Sequence, residues 1–583
     1  MFGYRKLGVF YNQFKKRDVH LSLYNKIGVS STNTMKNRFV IAILLLILLG
    51  NLPGNAQATS PNQQALVYVK LGSSDDLIRF SSTQLPMFTI LGGGLLTGTN
   101  RAGQQTLLEA GLSYQVVYPD LLEGSFYLAE NRVGHPAPDF ASYGQVLLNI
   151  ANGVLLRMDP TQSDAISQVG AELHAITLVP KPLSLAQSID VFPNVIDPDP
   201  IIQGMIDQVS ETKVYTYEQQ LTGELPVWVD ENWYTITSRN TYSGVPIQKT
   251  TSYVGQHMAN ELGLDVEYHE WNNSTNPNVI GEIPGSVNPD DIFIIGAHID
   301  DVNGTSGADD NASGSAATLL AADILSQYQW SCTIRFAFWT GEEQGMLGSE
   351  AYAERAHNTG ENIFGYLNLD MIAWNTLGTN PNINLFYTNS IPPTLQLAQL
   401  YADVVDAYNL DLDPVLGTGV TASDHASFWN YGFSSILAIE DEMGGDFNPY
   451  YHRFGDTSAH TDPAYFTNFV KASIATYAHM SGCLTPDGVG TLDGHVSAAG
   501  GGTPIENATV IANDGEGHTY STKTDSAGYF KIALIADTYT VTAFACSILP
   551  TTINEVIITA DTVTSHNFIV QQCENFYLPQ VNR

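Results

Sequence analysis

Basic residues are scarce in this chain: 24 Lys and Arg stand against 59 Asp and Glu among 583 residues, a formal net charge of −35. A surface of that sign repels nucleic acid and anionic membranes, so neither is an expected partner. Charged residues of both signs make up only 14% of the chain and hydrophobic residues 44%, which excludes a disordered acidic polymer and calls for a packed core. Cysteine is nearly absent, with four, and no two stand as Cys-x-x-Cys, which removes the zinc-ribbon and dithiol-redox readings. No Gly-x-Ser-x-Gly elbow occurs. Gly92-Gly93-Gly94 precedes Leu95-Leu96 with no Lys-Ser/Thr, so it marks a tight turn rather than a phosphate cradle, and His269-Glu270 lacks the second His of the helical zinc-protease motif. Long apolar runs are missing too. Phe39–Leu49 is too short to span a bilayer comfortably. Between Met35-Lys36-Asn37-Arg38 and Ala56-Gln57-Ala58 it reads as the core of a secretory signal peptide, with Met35 as the working start. Removal of residues 1–58 would take eight Lys/Arg and one Asp, leaving a mature chain with a net charge of about −42 and no transmembrane span.

What the chain does hold is a set of metal-ligand types: His298, Asp310, Glu343, Asp370 and His452. Four of them follow short apolar runs. Ile292–Ile295 precedes His298, Ile334–Trp339 precedes Glu342 and Glu343, Ile363–Leu369 precedes Asp370, and Ser434–Ile439 lies ahead of the loop to His452. Such runs, rich in Ile, Leu and Phe without strict alternation, predict strands covered on both faces, and helical stretches such as Ser313–Tyr328 separate them. The pattern predicts an α/β domain with an open, mostly parallel sheet flanked by helices, whose ligands gather beyond the carboxyl ends of the strands. A zinc-type ion takes imidazole nitrogen and carboxylate oxygen, and a hydrolytic pair of metals about 3.5–4 Å apart needs a carboxylate between them. Asp310, in Gly307-Ala308-Asp309-Asp310-Asn311-Ala312-Ser313-Gly314, is the expected bridge. Its loop runs into a helix, whose exposed amides are expected to help hold the loop carboxylates. The adjacent pair divides into a base, Glu342, and a ligand, Glu343. Singly, each of the five reads more readily as a cap or a satisfied polar group; jointly they read as a two-metal hydrolase site.

At these residues the chain resembles the M28 family of zinc metallopeptidases, particularly its secreted bacterial aminopeptidases. The likeness is carried by Gly296-Ala297-His298-Ile299-Asp300, the Gly307–Gly314 loop, Trp339-Thr340-Gly341-Glu342-Glu343-Gln344-Gly345, Asn368-Leu369-Asp370-Met371, Ser423-Asp424-His425, and Tyr451-His452 followed by Asp456-Thr457, across about residues 200–483. The resemblance implies one metal held by His298 and Asp370, the other by Glu343 and His452, and Asp310 shared, hence two Zn2+ per chain. It implies Asp300 as the carboxylate that braces the His298 imidazole. Tyr451 matches a tyrosine that, in some members, helps stabilise the oxyanion. The family spacing puts the bridge three residues before Ser313, which leaves Asp309 as a solvated loop acid. Asp424 and His425 are expected to fix loops rather than bind metal, and Asp456 to cap or tether the loop after His452. Asp301 departs from the small residue usual at its position. The implied activity is a secreted dinuclear zinc aminopeptidase that removes N-terminal residues, apolar ones foremost, from peptides or proteins, with Glu342 as general base. Three alternatives stay open: a carboxypeptidase of the same family, a glutaminyl-cyclase-like acyltransferase, and a catalytically inactive surface adhesin.

Around this core, residues 59–195 are expected to form a small α+β domain, a candidate prodomain with an internal duplication. Gly94-Leu95-Leu96, a helical stretch to Gly111 and Tyr114–Tyr118 correspond to Val154-Leu155-Leu156, a helical stretch to Gly170 and His174–Val179. The peptidase-like domain follows over 196–487. Residues 488–571, with short alternating strands such as Ala508–Ala512, Tyr529–Leu534, Tyr539–Phe544 and Val556–Thr559, predict a β-sandwich, and 572–583 a tail. That module resembles the carboxypeptidase regulatory-like, transthyretin-type domains through Gly494-His495-Val496, Asn507-Ala508-Thr509-Val510 and Thr524-Asp525-Ser526-Ala527-Gly528-Tyr529-Phe530. Surface or polymer attachment and simple stabilisation are both open as its role. Position favours Cys332–Cys483 and Cys546–Cys573 as disulfides, although three pairings are open.

Overall fold

The computed structural model describes residues 63–91, 93–131, 138–150, 153–182, 192–193, 196–272, 275–485, 488–499, 502–515, 519–545, 548–560 and 562–570. The expected signal segment, the Cys546–Cys573 pair and the tail lie outside them. No helix of the described residues is long and apolar enough to cross a membrane.

The N-terminal part of the described residues holds eight strands: β1 (Ala65–Lys70), β2 (Thr89–Leu91), β3 (Gly94–Thr99), β4 (Tyr114–Tyr118), β5 (Ser125–Asn131), β6 (Gln145–Asn149), β7 (Gly153–Met158) and β8 (Ala171–Ala175). They make two antiparallel sheets, ordered β2-β3-β1-β4 and β6-β7-β5-β8. The second order is the first advanced by four. Between β3 and β4 runs helix α1 (Arg101–Glu109), and between β7 and β8 the shorter helix α2 (Ser163–Ser167). Leu66, Leu96, Phe126, Leu128 and Leu155, drawn from both sheets, share one buried cluster.

A hairpin of β9 (Val227–Val229) and β10 (Asn232–Tyr234) precedes the main sheet. That sheet comprises β11 (Asp265–His269), β12 (Asn278–Ile283), β13 (Asn288–His298), β14 (Cys332–Trp339), β15 (Asn362–Leu369), β16 (Asn382–Tyr387), β17 (Asp413–Thr418) and β18 (Ser435–Glu440), ordered β11-β12-β14-β13-β15-β18-β16-β17. The sheet is mixed: the four central strands β14-β13-β15-β18 run parallel, as do β16 and β17, while β11, β12 and the β16–β18 join are antiparallel. The runs read as strands covered on both faces are the parallel ones. Helix α3 (Gly314–Leu325), whose Ala- and Leu-rich sequence favours helix, is buried at every residue but Asp323 and packs with α4 (Pro463–Ser481) on one face. Trp339, Tyr352, Tyr366 and Phe428 form the cluster on the other. Cys332, opening β14, is bonded to Cys483 beyond α4, with Cα atoms 5.6 Å apart.

In the last segment the strands Thr509–Asn513, Tyr529–Ile535 and Thr538–Ala545 fall within about a residue of their expected runs, and Val556–Thr559 overlaps the end of a longer strand, Ile548–Ile557. Alternation turns one face of each strand inward, so that Leu492, Val510, Phe530, Leu534 and Val541 make a separate core between two sheets.

Candidate metal centre

The site grows from the carboxyl ends of the parallel strands, where peptide chains leave the sheet and side chains converge in a crevice. His298 is the last residue of β13, Glu342 and Glu343 sit three and four residues beyond β14, and Asp370 follows β15 directly. Asp310 lies between β13 and α3, and His452 in the loop after β18, with a left-handed backbone at φ 55°.

Asp310 faces both histidines. Its Oδ1 lies 3.4 Å from His298 Nε2 and its Oδ2 3.1 Å from His452 Nε2. Asp370 Oδ1 is 3.3 Å from the same His298 nitrogen, and Glu343 Oε2 is 3.2 Å from His452 Nε2. Two donor sets therefore form, His298–Asp310–Asp370 and Asp310–Glu343–His452, joined at Asp310, while Glu342 groups with His298 and Glu343. All six residues are buried, at 1% to 7% exposure.

Among the described residues no Lys or Arg pairs with Asp310, Glu342, Glu343 or Asp370. Burial pushes Glu343 up to about 8, with the Asp310 charge adding to it. Burial works against a charged His298, yet Asp370 and Glu342 overcome it and raise its pKa well above the usual value. Glu343 Oε1 is buried with no hydrogen-bond partner. Unbalanced buried carboxylates, two histidines turned toward them and an orphaned oxygen are what a divalent cation would satisfy.

The supporting hydrogen bonds differ in places from the sequence reading. Asp300 places its carboxylate oxygen 3.7 Å from His298 Nδ1, while its backbone carbonyl is nearer, at 3.2 Å. The same carboxylate accepts Thr241 Oγ1 at 2.8 Å and the amides of Glu342 and Glu343 at 3.3 and 3.4 Å, so it also holds the turn of the glutamate pair. Asp309 is no solvated acid. It is fully buried and accepts the Ala373 amide at 2.8 Å and Asn448 Nδ2 at 2.9 Å, because its turn folds inward under the Asp370 loop. The loop is also not held by the helix amides as expected: Gly314 N donates to Asn311 Oδ1, and the carboxylate of Asp456 accepts the amides of Asp309 and Asp310 at 3.0 and 3.1 Å. Asp456 thus tethers the Asp310 loop. Asp301 is met by buried Arg239, whose amide donates to it at 3.0 Å and whose guanidinium also binds the carbonyls of Ile299, Ser306 and Gly307. Asp424 is buried, pushed up to about 7 first by burial, and His425 binds the Val420 carbonyl rather than joining a donor set. Tyr451 stacks on His452 at 3.7 Å, and its hydroxyl donates to Glu172. Glu172 lies in β8 and Ser167 ends α2, and no motif in the sequence marks them.

This fold, with its donor set beyond the carboxyl edge of the sheet, is of the zinc-exopeptidase type. Residues 278–477 match the model of peptidase family M28, and residues 491–571 that of the carboxypeptidase regulatory-like domain, so the chain carries an M28 peptidase domain followed by a carboxypeptidase regulatory-like domain. It is 31% identical over 228 residues to a probable leucine aminopeptidase of Arthroderma benhamiae, an alignment covering 37% of this chain and 60% of that protein. It is 26% identical over 274 residues to leucine aminopeptidase 1 of Paracoccidioides brasiliensis, covering 43% and 66%. The chain therefore spans about two thirds or less of these relatives' length. The crystal structure of an aminopeptidase from Legionella pneumophila aligns at a TM-score of 0.49 and 17% identity, over 62% of this chain and 99% of that one.

Proposed function

We propose that the chain is a secreted dinuclear zinc aminopeptidase that releases N-terminal residues, apolar ones foremost, from peptides. The observation that carries the reading is the division of the Asp310 carboxylate, one oxygen toward each histidine. His298 and Asp370 would hold one ion and Glu343 and His452 the other, with Asp310 common to both. Two zinc ions so held would supply Lewis acidity to the scissile carbonyl and make the attacking water more acidic. Glu342, buried beside His298, takes the proton of that water and returns it to the leaving amine. Tyr451, next to His452 in the chain, would turn its hydroxyl from Glu172 to the oxyanion when substrate is bound. The surrounding carboxylates suit a substrate's cationic α-amine. The relatives named leucine aminopeptidases support the apolar preference. The Cys332–Cys483 bond supports an oxidising compartment.

The test is metal analysis joined to substrate direction. Purified protein should bind two zinc ions per chain and release leucine from a leucyl anilide, and N-acetylation of the substrate should abolish turnover. A stoichiometry of one in fully loaded protein would sink the dinuclear assignment. Efficient cleavage of N-acetylated peptides from the carboxyl end would sink the aminopeptidase one.

A further inference from the structure

A polar trough opens at the edge of the peptidase domain, on ground the mechanism does not use. It is a cleft of about 540 Å³ between the helix Val245–Gln256, the hairpin turn at Asp230 and the end of β11, a size typical of ligand sites. Helical spacing sets Gln248, Lys249 and Ser252 along one side, and Tyr268 and Glu270 form the other. Gly255 lets Tyr268 lie against the helix, since a Cβ there would stand 2.1 Å from the Tyr268 hydroxyl. The hairpin end is fixed: Lys249 Nζ and Gln256 Nε2 donate to the Asp230 carboxylate at 2.6 and 2.5 Å, and hold a turn in which Asp230 and Glu231 both take left-handed φ, 51° and 60°. Among the described residues the side chains of Gln248, Ser252, Tyr268 and Glu270 spend no hydrogen bond. An amide, two hydroxyls and a carboxylate therefore stand open in one cleft, a set that both donates to and accepts from a peptide backbone.

The trough shares a wall with the catalytic turn. β11 runs antiparallel to β12 and β12 antiparallel to β14, so β11 ends at the same edge of the sheet as β14, two strand spacings or about 10 Å away. Between those two ends Trp271 donates Nε1 to Thr340 Oγ1 at 2.8 Å and packs so closely that a Cβ on Gly341 would stand 2.9 Å from it. Thr340 Oγ1 in turn donates to the Asn276 carbonyl at 2.6 Å. Glu270 and Pro277 face the trough, while their neighbours Trp271 and Asn276 hold the residues that lead into Glu342.

We propose that this trough is an exosite for the downstream part of the substrate, a polypeptide whose N-terminal residue lies at Glu342 while the residues after it cross the wall. The inference rests on the peptidase reading above and adds the substrate class, chains long enough to reach both places. A gap of about 10 Å is about three residues of extended chain, at most about 3.3–3.6 Å each, so a dipeptide ends within the crevice and a chain of about eight residues extends into the trough. Continuity with the crevice is what makes a peptide, rather than a saccharide, the occupant of a cleft lined by hydroxyl and amide groups.

In the zinc-loaded full chain, Gln248→Ala combined with Ser252→Ala removes two of the open polar groups and leaves a good helix former at each place. kcat/KM for a leucine-initiated octapeptide of uncharged residues should fall at least tenfold, through KM, while that for a leucyl anilide, which ends short of the wall, should change less than twofold. Tyr268→Ala should give the same split from the strand side, and it decides alone if the helix variant loses its cooperative melting transition. Equal losses on both substrates would make these groups structural and overturn the exosite. Unchanged octapeptide kinetics would overturn it as well, whether or not a saccharide binds there. If wild type loads zinc and cleaves neither substrate, the peptidase reading fails; the trough is then judged by equilibrium binding of the octapeptide, which the variants must weaken at least tenfold for the inference to stand.

Discussion

Glu342 and Glu343 are neighbours in sequence with different surroundings, and the difference assigns their duties. Glu343 reaches His452 Nε2 at 3.2 Å and belongs to the donor set around Asp310, whereas Glu342 keeps company with His298 and Glu343 outside both three-residue sets that share Asp310. Glu342→Gln keeps size and hydrogen-bonding shape while losing the proton acceptor. Metal content should therefore persist as kcat falls by at least about 10²-fold, the usual scale of a general base. Glu343→Gln should lose metal instead, read by elemental analysis after dialysis. The reverse pattern would mean the roles are exchanged. At this scale residue type and spacing carried far, because five ligand types, four of them after apolar runs, are a local signal. Burial was less legible: Asp309 reads as a loop acid from its neighbours, and only the fold shows Ala373 and Asn448 closing over it.

The Gly307–Gly314 loop is held by contacts that are distant in sequence. Asp456 lies 146 positions from Asp310, yet its two oxygens take the amides of Asp309 and Asp310, and its backbone carbonyl takes the Ser306 hydroxyl at 2.6 Å. Each buried amide left without an acceptor costs about 1–3 kcal/mol. Asp456→Ala should accordingly lower stability by about 2–5 kcal/mol, read as a fall in Tm, and weaken metal affinity about 10–100-fold, the range for losing a supporting partner of a ligand. A variant that melts normally and binds zinc at wild-type affinity would show that the loop holds its shape without the tether. The strands themselves were legible because hydrophobic runs are local; the antiparallel join of β16 to β18 was not, because pairing direction depends on how the chain returns to the sheet. The helix-amide reading of this loop fails for a related reason. Asn311 Oδ1 already occupies the Gly314 amide, so the carboxylates need a partner from elsewhere.

Across the whole molecule the peptidase domain is flanked by two parts that meet it differently. Helix α2 and strand β8 place Ser167 and Glu172 against His452 and Tyr451, whereas the carboxypeptidase regulatory-like domain has its own core of Leu492, Val510, Phe530 and Val541, and none of its described residues belongs to a donor set. Its link to the peptidase domain runs past Cys483, which is tied to Cys332, and Val287 packs against its core. A chain ending after residue 487 should therefore keep two zinc ions and a kcat/KM within about twofold of wild type, since the truncation removes no ligand and leaves the disulfide whole. Stability is where a cost belongs: the uncovered Val287 side chain carries at most about 1.5–3 kcal/mol of burial, a drop visible in Tm. Truncated protein that retains both ions and melts cooperatively, yet has lost turnover, would place a substrate-binding surface in the C-terminal module and end its standing as a separable part.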